Sequence, residues 1–159
     1  MKQLIFVFVL TLSFASSLIA QGKKDIKKNK VKTLITTDTE NGKAVTDEKY
    51  VYDSNGELIE ETNYNKEGNI KSVKKSKYDK DSNLLEEIVY DGKGNQKERK
   101  TNKYNGFGEK IEECTYDKDN QLIKKFVYTY DNKGLRTESK TYDGEGNLIA
   151  VKKYTYGYK

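Results

Sequence analysis

Turn signals recur along this chain at alternating intervals of 14 and 12 residues, and that beat restricts the fold more than any other feature. Gly42, Gly56, Gly68, Ser82, Gly94, Gly108, Asn120, Gly134 and Gly146 mark it. A tyrosine stands four residues before all but the first: Tyr52, Tyr64, Tyr78, Tyr90, Tyr104, Tyr116, Tyr130 and Tyr142. Two intervals make 26 residues, so Tyr52, Tyr78, Tyr104, Tyr130 and Tyr156 form one series and Tyr64, Tyr90, Tyr116 and Tyr142 another. A fixed period of this size signals a repeat architecture.

The segments between turns contain no proline and are rich in Tyr, Val, Ile and Thr, which is strand composition. Stretches such as Tyr52-Asp53-Ser54-Asn55-Gly56 put Asp first and Gly fourth, as a type I turn closed by a left-handed residue requires. Ser82 takes that place less readily than glycine, so the 79–82 turn is expected to be the weakest or to use another geometry. Such loops pair residue n with n+6: Tyr52 with Leu58, Tyr64 with Ile70, Tyr78 with Leu84, Tyr116 with Leu122, Tyr142 with Leu148. Both intervals are even, so an unbroken alternation points every tyrosine of both series to one face.

Carried outward, this register sets Lys49 opposite Glu61, Glu60 opposite Lys74, Lys75 opposite Glu87, Glu86 opposite Lys100 and Glu113 opposite Lys125, with no like charges opposed. The expected fold is all-β: an antiparallel meander of about ten strands, from roughly 30–37 to 147–156, in one twisted layer wet on both faces. Curling into a barrel-like shell, or a coil of stacked hairpins, are the alternatives, because twist accumulates in so wide a sheet.

Three domains are expected: residues 1–20 as a signal peptide, 21–32 as a basic flexible leader, and 33–159 as the tyrosine-rich repeat. Lys2, the apolar run Leu4–Leu10 and small residues up to Ala20 have the layout of a secretory signal, with cleavage after Ala20 and an uncleaved anchor as the rival. The formal charge of +5 belongs to Lys2 and the lysines at 23, 24, 27, 28, 30 and 32, which leaves the repeat close to neutral. Nucleic-acid binding is not expected, since it wants its charge on the folded surface. No transmembrane span is expected after signal cleavage.

The core Tyr128-Thr129-Tyr130-Asp131-Asn132-Lys133-Gly134-Leu135 resembles the Y-x-Y-D-x-x-G pattern of YD repeats, the units of RHS-type bacterial surface and toxin-delivery proteins. Tyr50–Leu58 is similar to it, and Asp143–Ile149 is close to its second half. The resemblance extends weakly over residues 38–156. It departs where those repeats put arginine after the turn glycine, since Glu or Asn stands there in most turns of this chain and Leu135 in the core quoted. It implies an exported, bacterial, repeat-built protein that binds or encloses, and it implies no reaction.

With no histidine there is no Ser-His-Asp or Cys-His pair and no imidazole metal site, and the glutamates face lysines on an exposed sheet. The chain is expected to be no enzyme and to need no cofactor. Asp79–Asn83 and Asp117–Asn120 begin like calcium loops but lack the glycine at position six and a glutamate at position twelve, so no metal is expected. Cys114, the single cysteine, reads as a tolerated strand residue. The best candidates for ligand contact are Tyr128, Tyr130, Tyr154 and Tyr156, because the paired tyrosines exceed what a turn needs.

The expected role is that of a secreted, periplasmic or surface-bound, non-catalytic binding or scaffold module, contacting glycan or protein through a tyrosine-lined face. The alternative is an immunity- or antitoxin-type protein that neutralises a partner with the same face. The last strand, an unpaired edge rich in Leu148, Ile149 and Val151, invites self-association.

Overall fold

Every expected turn forms, and the strands between them build one sheet in strict sequence order. The computed structural model describes residues 15–40 and 42–158. After helix α1 (Ala15–Lys28) come β1 (Thr33–Glu40), β2 (Lys43–Tyr52), β3 (Leu58–Tyr64), β4 (Ile70–Tyr78) and β5 (Leu84–Asp91). The chain continues with β6 (Gln96–Tyr104), β7 (Lys110–Tyr116), β8 (Leu122–Tyr130), β9 (Arg136–Asp143) and β10 (Leu148–Lys153). All neighbours are antiparallel, and the sheet is open, with β1 and β10 at its edges. It has almost no interior: among the described residues the only buried apolar side chains are Tyr50 and Cys114, 8% and 6% exposed.

From β2 onward each turn is tied in the same way. In the first hairpin after β2, Gly56 N–H donates to the Asp53 carbonyl and Asp53 N–H to the Glu57 carbonyl, while Asp53 Oδ1 accepts from Asn55 and Glu57 N–H. Ser82 takes φ 68° and closes its turn with the same bonds, so the 79–82 turn keeps the common geometry. A hydroxyl side chain tolerates the left-handed region at a cost that glycine avoids.

The n/n+6 pairs hold at every turn from β2–β3 onward but not at β1–β2, where Glu40 pairs with Lys43, and the outward register does not hold. After Tyr52↔Leu58 the next pair is Val51↔Glu60, so Ile59 is an extra residue. Lys71, Leu85, Lys97, Ile111, Ile123, Thr137 and Ile149 are skipped in the same way. Each hairpin from β2–β3 onward therefore carries a β-bulge one residue beyond its turn-flanking pair, which adds local twist, whereas in β1–β2 the shift falls between Thr36 and Thr37. The expected partners shift by one: Glu60 faces Lys75, Glu61 faces Lys74, and Lys49 meets Thr62. Likewise Glu87 faces Lys100, Ser76 faces Glu87, and Cys114 faces Lys125.

The bulge also overturns the single tyrosine face. Cross-strand partners share a face and neighbours along a strand alternate. Leu58 thus lies with Tyr52, whereas Glu60 lies with Val51 on the other side, which carries Tyr64 to that other side too. The next bulge restores the original side at Tyr78. The series Tyr52, Tyr78, Tyr104, Tyr130 and Tyr156 lines one face, and Tyr64, Tyr90, Tyr116 and Tyr142 the other.

The 21–32 segment, expected as a basic flexible leader, contains the end of a helix. Residues 21–28 belong to α1, which runs across the expected cleavage point, while residues 1–14 of the expected signal lie outside the described residues. The helix ends in a Schellman motif: Lys30 is left-handed at φ 53°, Val31 N–H donates to the Ile26 carbonyl and Lys30 N–H to that of Lys27. Lys27 and Lys28 sit favourably at the negative end of its dipole. It rests on the β2–β3 turn, where Lys23 pairs with the buried Glu57 and the backbone of Lys23 and Lys27 closes over Gly56.

Candidate functional site

The two tyrosine series do different structural work. On the Tyr52 face each ring spans the preceding hairpin: the hydroxyls of Tyr78, Tyr104, Tyr130 and Tyr156 donate to the carbonyls of Leu58, Leu84, Lys110 and Arg136 at 3.3, 3.1, 2.7 and 2.8 Å. On the Tyr64 face the rings are covered by cations, Lys75 over Tyr90 at 5.9 Å, Arg99 over Tyr116 at 4.5 Å and Lys125 over Tyr142 at 5.1 Å. Most of the periodic tyrosines are therefore braces.

The exception lies on the Tyr52 face at β8–β10. Tyr128, Tyr130, Tyr154 and Tyr156, singled out in the sequence, all come together there around Arg136. The guanidinium lies over the Tyr128 ring at 4.0 Å, sits 5.6 Å from that of Tyr130, and donates to the Tyr130 hydroxyl at 3.2 Å. The Tyr156 hydroxyl holds the Arg136 carbonyl. Burial works against the arginine's charge, but its bonds to the Tyr130 and Tyr154 hydroxyls outweigh that and hold its pKa above the ordinary value. Burial also pushes the Tyr128 hydroxyl up. Phe126 adds a further ring, parallel to Tyr128 with centroids 6.3 Å apart. The Tyr156 ring is partly exposed, and Tyr154 is half-buried.

Beside these rings a groove of about 840 Å³ runs between the β6–β7 and β8–β9 turns, lined by Phe107, Glu109, Ile111, Tyr128 and Tyr130 among others. Phe107 stands over it, 91% exposed.

Sequence reasoning missed both Phe107 and Arg136, although each leaves a signal. The tips of the other turns carry Asn55, Glu67, Asp81, Lys93, Asp119, Lys133 and Glu145 at the position of Phe107, so an aromatic there breaks the pattern. Arg136 is one of two arginines in the chain. The other, Arg99, is neutralised by Glu86 at 3.2 Å and bonded to Asn120 at 3.2 Å.

Charge compensation also differs along this face. Lys74 pairs with Glu61 at 2.7 Å, Lys100 with Glu98 at 2.9 Å and Lys110 with Glu113 at 2.6 Å. Among the described residues no carboxylate lies within ion-pair distance of Lys124, Arg136 or Lys152. Lys124 and Lys152 instead lie 6.0 Å from the Phe126 ring and 5.2 Å from the Tyr154 ring.

No cluster of metal-binding side chains occurs among the described residues, and the oxygens of the two calcium-like stretches are engaged in their own turns, Asp79 with Asp81 and Asn83, Asp117 with Asp119 and Gln121. None of the described helices is long and apolar enough to cross a membrane.

No protein-family model matches the sequence, and no curated protein matches it. Among solved structures it is similar to a protein of unknown function from Bacteroides fragilis NCTC 9343, at 18% identity over 80% of this chain and 96% of that one, with TM-score 0.42. A porin-like protein from Bacteroides uniformis ATCC 8492 is similar at 14% identity over 78% and 49%, with TM-score 0.41. TarM is similar at 16% identity over 79% and 22%, with TM-score 0.32. Likenesses this loose carry no argument about function.

Proposed function

We propose that this chain is an exported, non-catalytic binding module of the bacterial envelope or cell surface, and that it holds glycan on the aromatic patch of β8–β10. One observation carries the reading: two tyrosines outside the periodic series, Tyr128 and Tyr154, converge on one arginine, beside a groove, on a sheet that otherwise uses its rings as braces. Rings of this kind offer apolar faces with polar rims, the surface that sugar rings pack against. The signal-like N-terminus and the YD-repeat resemblance support the location. Self-association through β10, whose residues are all exposed, belongs to the same proposal. Sedimentation of the chain beside Val151→Lys tests it: a concentration-dependent dimer should disappear in the variant, and a monomer in both removes it.

Retention on immobilised polysaccharide tests the binding surface. Tyr128→Ala and Tyr154→Ala should each weaken retention with an unchanged circular dichroism spectrum. Retention equal to that of the parent chain would remove the patch from consideration.

A further inference from the structure

We propose that the polysaccharide held by this surface is anionic, a chain of sugar rings bearing carboxylate or sulfate groups. The inference rests on the glycan reading above and adds the ligand's charge. It comes from where the ion pairing of the sheet stops. Through β3–β7 the cations of the Tyr52 face form ion pairs with carboxylates, and among the described residues Lys124, Arg136 and Lys152 form none, Lys124 even though Asp143 is its cross-strand partner.

The three differ in a useful way. Arg136 is half-buried and fixed by stacking on Tyr128 and by the Tyr130 hydroxyl, so its planar fork is already oriented and its remaining N–H groups need acceptors. A carboxylate or sulfate fits that fork with two parallel hydrogen bonds. Lys124 and Lys152 are exposed, and each lies beside a ring, Phe126 and Tyr154. An anion draws the ammonium aside and uncovers the ring. An acidic sugar presents what each pair wants, an apolar C–H face and a charged edge on one ring.

The spread of the groups calls for a polymer. Lys124, Phe126, Tyr128 and Tyr130 succeed one another along one side of β8, at about 6.6 Å per step. Lys152 lies level with Tyr128 two strands away, across Ser139. A small anion would engage Arg136 alone.

The test measures binding of the whole chain to polygalacturonate, to a neutral galactan of similar length and to a single-stranded DNA oligonucleotide, each across a salt series. Expected are binding to polygalacturonate at least tenfold tighter than to the other two, weakening with salt, and a loss of about tenfold in Arg136→Gln. Lys124→Gln and Lys152→Gln, exposed changes with little effect on folding, should each lose a few-fold, whereas Lys97→Gln, which removes an equal charge elsewhere, should lose nothing. Equal binding to the neutral galactan, insensitive to salt, overturns the anionic inference and leaves the glycan reading standing. Equal or tighter binding to DNA, or equal losses from all lysine variants, overturns it in favour of unspecific attraction to polyanions. Binding to neither polysaccharide overturns the glycan reading itself.

Discussion

Gly92 and Gly106 hold the same place in their turns, and the structure assigns them opposite tolerance for a side chain. A Cβ on Gly92 would stand 2.1 Å from the Ile70 carbonyl oxygen, whereas one on Gly106 would meet nothing within 4 Å. The difference has a source in the pairing. β5 runs one residue past its tyrosine, adding the pair Ser72↔Asp91, and this folds its turn onto the neighbouring hairpin margin. β9 does the same through Lys124↔Asp143, and a Cβ on Gly144 would likewise stand 2.2 Å from the Leu122 oxygen. β3 and β7 stop at Tyr64 and Tyr116, and their turns carry Lys66 and Lys118 at that place. In Gly92→Ala the methyl and the carbonyl must separate by about 1 Å, an overpacking that costs about 1–3 kcal/mol, or the last pair must open at about 1 kcal/mol. Gly106→Ala adds no contact, and by restricting the unfolded chain it gains about 0.4–1 kcal/mol. With a urea slope of about 1–3 kcal/mol per molar, the midpoints of the two variants should differ by about 1 M. Urea melts followed by circular dichroism measure this directly. Equal midpoints for Gly92→Ala and Gly106→Ala, at equal slope, would refute the extra pair and the close approach it produces.

The hydroxyl braces predict that Tyr78→Phe and Tyr130→Phe each lose about 0.5–1.5 kcal/mol, while Tyr90→Phe and Tyr142→Phe on the other face change stability by less than about 0.5 kcal/mol in the same urea assay. Hydrogen bonds from Asn83, Asn95 and Asn147 hold the Asp79, Asp91 and Asp143 carboxyls below their ordinary value of 3.8. The stability they supply is complete above that value and is lost as pH falls through the lower folded value, so midpoints should be level above pH 5 and fall steeply below about pH 4. Asp91→Asn, which keeps an acceptor for the two backbone N–H groups, should flatten that fall. Gly56→Ala and Gly68→Ala share the left-handed strain, but only at Gly56 would the added Cβ meet α1, 3.0 Å from the Lys23 carbonyl oxygen, so only Gly56→Ala should hasten tryptic cleavage at Lys23 to Lys28.

The meander was legible because turn chemistry and strand composition agree at every interval, and a period of 26 leaves few ways to place a strand. The bulges were not, for a reason visible in the charges. Glu60-Glu61, Lys74-Lys75, Glu86-Glu87, Glu112-Glu113 and Lys124-Lys125 are doublets, and a doublet opposes an opposite charge in either of two registers one residue apart. Charge matching therefore approved a register that the backbone does not use, and with it a single tyrosine face. The bulge residues themselves, Ile59, Lys71, Leu85 and Thr137 among them, share no chemistry that would mark them. The helix was hidden by its composition, since its lysines and the left-handed Lys30 look like a solvated tail until the Ile26–Val31 closure is seen.

The candidate site shows where a repeat yields information about function. A position that recurs every 26 residues is constrained by the same neighbours each time, so a departure from it answers to something outside the sheet's own pairing. Counting back from the ladder tyrosines, the place of Tyr128 is held by the buried Tyr50 in β2 and by Ser76 and Asn102 in the central hairpins, and that of Phe126 by Glu48, Lys74 and Lys100. Arg136 stands where Leu58, Leu84 and Lys110 stand. Three departures on two adjacent strands exchange small, paired or apolar side chains for rings and an unpaired cation on one face. Strand pairing explains none of them, because the ladder pairs of β8 and β9 match those of β4 and β5. The aromatic excess at Tyr128 was readable from a single dipeptide, but its meaning required knowing that Phe126, Arg136 and Tyr154 share its side of the sheet, and the bulges decide that.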